Sequence, residues 1–146
     1  MTENVSVLSI PSRDGVIKLG NWHRQMWEYW READPADLDA RSSLENSLSI
    51  CQLWCLALHH GYYLVGYGCL FDGELALASV RPEFRRRGIY KELVRTRMDY
   101  AIKVLGLNEI TVSPSEETEG YFKRIGFEIS YEYGETQATY LVNKLA

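Results

Sequence analysis

The stretch Val80-Arg81-Pro82-Glu83-Phe84-Arg85-Arg86-Arg87-Gly88-Ile89-Tyr90-Lys91-Glu92-Leu93-Val94 decides the fold. Ahead of it, residues 73–80 (GELALASV) make an apolar run of strand length bounded by turn residues. Behind it, Ile89, Leu93, Val94, Met98, Ala101, Ile102 and Leu105 fall on one stripe of a helix. A strand therefore passes through a basic, glycine-containing turn straight into a helix N-terminus. Free backbone N–H groups and the positive end of the helix dipole converge there, which makes an anion site. The arginines add charge around it, and Gly88 lets a ligand approach the backbone closely. Without the flanking strand and helix, Arg85-Arg86-Arg87 would be an ordinary solvated basic turn.

Outward from this turn, the chain has the means of one domain, residues 1–146, large enough to build a core without disulfides or metal. The net charge of −4 hides an asymmetry: residues 81–103 hold eight Lys/Arg against three acidic residues, so that segment is +5 and the remainder −9. A local basic patch on an acidic body suits a small polyanion better than a nucleic-acid groove, and no zinc spacing, helix-turn-helix or second basic stripe is evident. No apolar run reaches the roughly 18 residues of a membrane span, and no signal pattern opens the chain. Cys51, Cys55 and Cys69 lie in apolar runs and are expected to be reduced, buried thiols of a cytoplasmic protein. His59 and His60 lack further ligands at metal spacing and fit a solvated turn, so no metal is expected.

The rest of the chain supplies the elements. Val5 to Ile10 alternates and predicts a strand. Asp14 is a candidate cap for a helix over Val16 to Arg31, with Trp22, Met26, Tyr29 and Trp30 at helical spacing and Trp27 widening the face. Asp34-Pro35-Ala36-Asp37 predicts a cap and first turn of a second helix reaching about Leu48. Cys51 to Leu58, Tyr62 to Phe71 and the run ending at Val80 predict an antiparallel meander. Glu109 to Val112 is a short buried strand. Ser113-Pro114-Ser115-Glu116 combines a cap, an N1 proline and an N3 glutamate for a helix that stops at Gly126. Phe127 to Tyr133 and Thr139 to Leu145 form two last strands around a turn at Gly134. The order β-α-α-β-β-β-α-β-α-β-β describes an α/β domain on a mixed sheet.

At two places the residues resemble the GNAT superfamily of acyl-CoA N-acyltransferases. Val80-x-Pro82-x-x-Arg85-x-x-Gly88, continuing to Leu93, is similar to the family's pyrophosphate signature R/Q-x-x-G-x-G/A. Tyr121-Phe122-Lys123-Arg124-Ile125-Gly126-Phe127 resembles its late Y-x-x-x-G-F segment. Together with the meander they cover roughly residues 52–135. The resemblance implies a single-domain, mostly antiparallel mixed sheet with helices on both faces. It implies acetyl-CoA, or another short acyl-CoA, as co-substrate. Backbone groups of Ala78, Ser79 and Val80 would hold the pantetheine arm; the turn through Arg85, Arg86, Arg87, Gly88, Ile89, Tyr90 and Lys91 would hold the pyrophosphate. Ser115 stands where many members have a pantetheine-facing asparagine. Two departures stand out. Tyr90 occupies a small-residue position, and Phe122 stands where many members carry a tyrosine acid. Tyr121 is the adjacent alternative acid but is expected to face the core, and Glu74 is the candidate base, acting through water. Trp22, Trp27 and Trp30 are candidates for an acceptor-binding wall, since this region borders the acceptor site in the family; at helical spacing such a stripe equally suits core. The expected reaction is direct transfer of an acyl group to a primary amine of a small molecule or peptide. A homo-oligomer or assembly partner is compatible with this. The alternative is a GNAT fold with weak or no catalysis, serving as an acyl-CoA-binding, structural or interaction component.

Overall fold

Every residue from Leu53 to Leu58 is buried, and this fixes the middle of the sheet. Alternating side chains enter two different cores: Leu53, Cys55 and Ala57 on one face, Trp54, Leu56 and Leu58 on the other. A strand covered on both faces needs no polar side, which is why this run is continuously apolar. The computed structural model describes residues 4–36 and 38–142. In chain order they form β1 (Val5–Pro11), α1 (His23–Ala33), α2 (Ala40–Ile50), β2 (Leu53–His59), β3 (Tyr63–Phe71), β4 (Glu74–Val80), α3 (Ile89–Lys103), β5 (Glu109–Val112), α4 (Glu116–Arg124), β6 (Glu128–Glu132) and β7 (Glu135–Leu141). The seven strands make one sheet in the order β1-β2-β3-β4-β5-β7-β6. All neighbours are antiparallel except β4 and β5. The first core packs α3 and α4 on one face, through Ile89, Leu93, Val94, Ala101 and Phe122. The second packs α1 and α2 on the other, through Met26, Tyr29, Leu44 and Leu48. The architecture is the expected mixed α/β sheet with helices on both faces.

Four local expectations change. Val16 to Leu19 is not helical: Val16 bridges to Arg13, and the Ile17 N–H donates to the Leu48 carbonyl at 2.7 Å. Asp14 accordingly caps no helix but sits at φ 53° in the turn before that bridge. The second helix begins at Ala40 after an exposed connection, with Asp34 closing α1 instead of opening α2; Asp37 lies outside the described residues. The third change concerns α4, whose N-cap is Ser115 with Thr118 completing a capping box, two residues later than the Ser113 cap the motif predicts. β7 starts at Glu135, and its expected end at Leu145 lies outside the described residues.

Candidate functional site

Parallel strands β4 and β5 are in register at Glu74 and Thr111 alone, where the Thr111 N–H donates to the Gly73 carbonyl at 3.0 Å. Beyond that point the strands part. Leu75 to Val80 form one wall of the gap, Val112 and Ser113 the other, and the resulting cleft has a volume of about 660 Å³. The N-terminus of α3 closes one end and α4 lies along the side.

At the α3 end the turn takes the conformation an anion cradle requires. Gly88 is the N-cap at φ 81°, ψ 5°, and Arg86 also adopts a left-handed φ of 62°. Alternation of this kind turns successive N–H groups inward. The first helical bond runs from Glu92 N–H to Gly88 O at 3.1 Å, so the amides immediately before it lack partners within the helix. Arg85 ties the turn to the strand through Nε to Val80 O at 3.0 Å. Arg85, Arg86 and Lys91 line the cleft, with Arg124 from α4, and Glu117 is its carboxylate. The cradle, its cations and an open approach fit the diphosphate of a coenzyme A.

The basic segment is less uniform than its charge suggests. Arg87 turns from the cleft and stacks over Phe84 at 5.1 Å. Arg95 is paired with Glu92 and Asp99 on the surface of α3. Arg81 donates to Leu64 O at 2.9 Å and pairs with Glu32 at 2.9 Å, between the rings of Tyr29 and Tyr63. Arg97 is buried at 1% exposure and belongs to the interior, not to a phosphate-binding patch.

On α4, Glu117, Thr118, Tyr121 and Arg124 recur at helical spacing and face the cleft. Phe122, one residue on, is fully buried and packs against Phe127 and Tyr121 at centroid distances of 5.1 and 5.3 Å. The sequence expectation is thereby reversed: Tyr121 faces the cleft, and Phe122 is core and does not line it. Tyr121 stands beside Tyr90, centroids 6.4 Å apart, with Lys91 Nζ 5.6 Å from its ring centre. Burial raises the pKa of both phenols; nearby Arg97 opposes the shift in Tyr90, while Arg124 and Arg97 oppose it in Tyr121.

Of the other expected site residues, Ala78, Ser79, Val80, Gly88, Ile89 and Ser115 all line the cleft. Glu74 does not: it sits at the closed apex, where β4 still pairs with β5. Trp22, Trp27 and Trp30 are half-buried against the second core and line neither this cleft nor the smaller cavity beside it. That cavity, of about 360 Å³, is bounded by Tyr29, Glu32, Ala33, Arg81 and Pro82 and shares Ser79, Val80 and Arg85 with the cleft. Its Tyr29 hydroxyl lies 2.9 Å from Ser79 Oγ. Sequence reasoning missed Glu117, Thr118, Arg124, Glu32 and Tyr29 as lining residues. Glu117 and Arg124 were legible with Tyr121 as an i, i+4, i+7 row, with Thr118 beside Glu117, whereas Glu32 and Tyr29 become site residues only through tertiary packing.

The sequence matches the acetyltransferase (GNAT) family over residues 17–127. The chain belongs to that family. Solved GNAT structures share its fold at low identity. An acyl-CoA N-acyltransferase from Pseudomonas aeruginosa superposes with a TM-score of 0.69 at 12% identity, covering 93% of this chain and 99% of that one. A ribosomal-protein-S5-alanine acetyltransferase from Vibrio fischeri gives 0.67 at 12% identity, covering 100% and 97%. The spermidine N-acetyltransferase SpeG of Vibrio cholerae, as a point mutant, gives 0.67 at 13% identity, covering 97% and 95%. Comparison with curated protein sequences returns no match. Within this GNAT chain no group of three or more His, Cys, Asp or Glu side chains suited to a metal occurs among the described residues. Nor is any described helix long and apolar enough to cross a membrane.

Proposed function

We propose that this GNAT protein transfers an acetyl group, or another short acyl group, from acyl-CoA to a primary amine by direct transfer. The observation that carries the reading is the parted β4–β5 edge leading into the Gly88 cradle. Acyl-CoA supplies the thioester. The backbone amides before Glu92, with Arg85, Arg86 and Lys91, hold the diphosphate. The unpaired edge of β4 from Ala78 to Val80, faced by Ser115, holds the pantetheine arm as a neighbouring strand would. A β4 amide donates to the thioester carbonyl oxygen as charge develops there. Tyr121 and Tyr90 are the phenols that line the cleft, protonated at neutral pH as phenols ordinarily are, with burial raising both pKa values further; Tyr121 is the candidate acid for the leaving thiolate. The amine approaches from the smaller cavity, where Glu32 offers its ammonium form a carboxylate that Arg81 holds in place; water takes a proton from the ammonium, the neutral nitrogen attacks the thioester carbon, and the C–S bond breaks to release CoA thiolate.

The placement of Phe122 and Glu74 favours a second reading, in which the cleft holds acyl-CoA without using it. Glu74 is off the cleft, and the residue at the usual tyrosine position is core. Calorimetric titration with acetyl-CoA followed by thiol release over a panel of amines separates the two. Binding with turnover on at least one amine, reduced about 10²-fold or more by Tyr121→Phe, supports the enzyme. Binding without turnover supports the second reading, and no binding at tens of micromolar protein refutes both.

A further inference from the structure

We infer that Arg97 is a positioning residue for acyl transfer: from within the core, its guanidinium holds open the β-bulge of β4 that aims strand amides into the cleft. The inference rests on the acyltransferase reading above. Pairing between β3 and β4 slips by one residue: Gly68 faces Ala78, but Cys69 faces Ala76, so Leu77 has no partner. An extra residue of this kind bends the strand and re-aims its backbone groups. Leu77 and Ala78 both line the cleft at this bend, and Leu77 is 45% exposed.

The bulge disrupts the ladder, and Arg97 occupies the disruption. Its Nη1 donates to Cys69 O at 2.9 Å and to Ala76 O at 3.0 Å, the carbonyls of the pair that flanks the slip. Its Nε donates to Leu93 O, one turn back on α3, at 3.0 Å. These bonds go to backbone carbonyls of three elements, so one side chain fixes α3, β3 and β4 relative to each other at the bend. The room for it is made by Gly68. A Cβ there would lie 2.9 Å from both Cζ and Nε of Arg97. A buried cation bonded to neutral carbonyls is a costly way to stabilise a sheet, since an apolar side chain on a regular ladder would do so without burying charge. Such groups concentrate where geometry matters more than stability. The neighbouring phenols Tyr90 and Tyr121 also lie within the field of this charge.

The test compares wild type, Arg97→Met and Arg97→Lys. Coenzyme A binding is read by calorimetry, turnover with acetyl-CoA on an accepted amine, and backbone order by amide hydrogen exchange. Met fills similar volume without donors; Lys restores charge and donors near Nη1. The expected result for Arg97→Met is unchanged CoA stoichiometry, a Kd within about threefold, and kcat lower by about 10²-fold, as when one oxyanion donor is misplaced. Amides of residues 76–79 exchange faster while those of β1 and β2 do not, and Arg97→Lys recovers most of the kcat. A merely structural role would lower kcat only in proportion to the CoA-competent fraction, and that outcome overturns the inference, as does wild-type kcat in Arg97→Met. If wild type binds CoA but acylates nothing, the acyltransferase reading fails and exchange at residues 76–79 alone decides whether Arg97 holds the bulge. Should Arg97→Met not fold, Arg97→Gln with one remaining donor carries the same comparison.

Discussion

Replacing Gly68 by alanine puts the packing around Arg97 under direct load. The added methyl lies 2.9 Å from Cζ and Nε, closer than real Cβ contacts come, and 3.2 Å from Nη2, a tight contact. A flexible arginine tip on the surface would swing aside. Arg97 is 1% exposed and tied to Leu93, Cys69 and Ala76, so movement breaks bonds in the interior. Overpacking of this kind costs about 1–3 kcal/mol. For a domain of this size that lowers Tm by about 3–10 °C. Urea unfolding at 25 °C, with Tm by circular dichroism, measures the loss. A double-mutant cycle assigns it: in an Arg97→Met background the methyl meets a pliable thioether and costs under about 0.5 kcal/mol. The coupling energy between the two sites is then about 1–2 kcal/mol. Gly68→Ala with a wild-type midpoint, or costs that simply add, would refute the reasoning that Gly68 exists to admit Arg97.

Gly88→Trp, at a position with φ 81° on the approach to the cradle, abolishes detectable CoA binding by calorimetry; unchanged affinity would show that the turn is not the diphosphate site. Alkaline stability follows the buried phenols. Burial raises the pKa of Tyr29, Tyr67, Tyr90 and Tyr121 above the ordinary value near 10, so the folded state keeps protons that the unfolded chain releases. Stability from these groups is therefore full below about pH 10 and falls as pH rises through the folded values. Urea midpoints taken between pH 8 and 11 show this decline, and Tyr67→Phe flattens it; a slope unchanged by that substitution would contradict the assignment. Arg81→Met removes the bond to Leu64 O and the contacts with two tyrosine rings, costing about 1–3 kcal/mol in urea unfolding. Glu32→Gln, which removes only a half-exposed ion pair, costs under about 1 kcal/mol.

Where a sequence pattern had one physical solution, it was legible. The apolar run through Leu53 to Leu58 could be satisfied only by a strand covered on both faces. Asp72-Gly73 and Gly134 could do little but turn, and Gly88 ahead of an apolar helical stripe marked the helix start. The misreadings occur where tertiary contacts overrode local pattern. Val16, Ile17 and Leu19 mimic the first turn of α1, but Ile17 bonds to Leu48 and, like Leu19 at the start of the 3-10 turn Gly20–Trp22, is buried. Two adjacent aromatics on α4 differ by about 100° of helical rotation, and a cap two residues later than expected accompanies the exchange of Tyr121 and Phe122 between cleft and core. Arg97 counted as one more cation of a basic patch, because nothing local distinguishes a buried arginine from a solvated one. Its counterpart Gly68 and the slipped register lie on another strand, beyond the reach of any local pattern.

Strand β4 is where these constraints meet. It pairs with β3 on one side but with β5 only at Glu74, so beyond Glu74 its other edge carries backbone groups that no strand among the described residues pairs. Unpaired edges are normally blunted by charge, shortness or cover, because they invite another strand. Here the edge faces inward on a cleft whose far end is an anion cradle, where another strand could not enter. An extended ligand with amide groups in its arm and phosphates at its end satisfies both features at once, the arm along the edge and the phosphates at Gly88. The bulge at Leu77 lies partway along that path, held from behind by Arg97. On the proposed function, binding requires the open edge and the cradle, and orienting the reacting carbonyl requires the bend as well. Coenzyme A affinity and acyl transfer should therefore respond to different residues, the first to Gly88 and the second to Arg97.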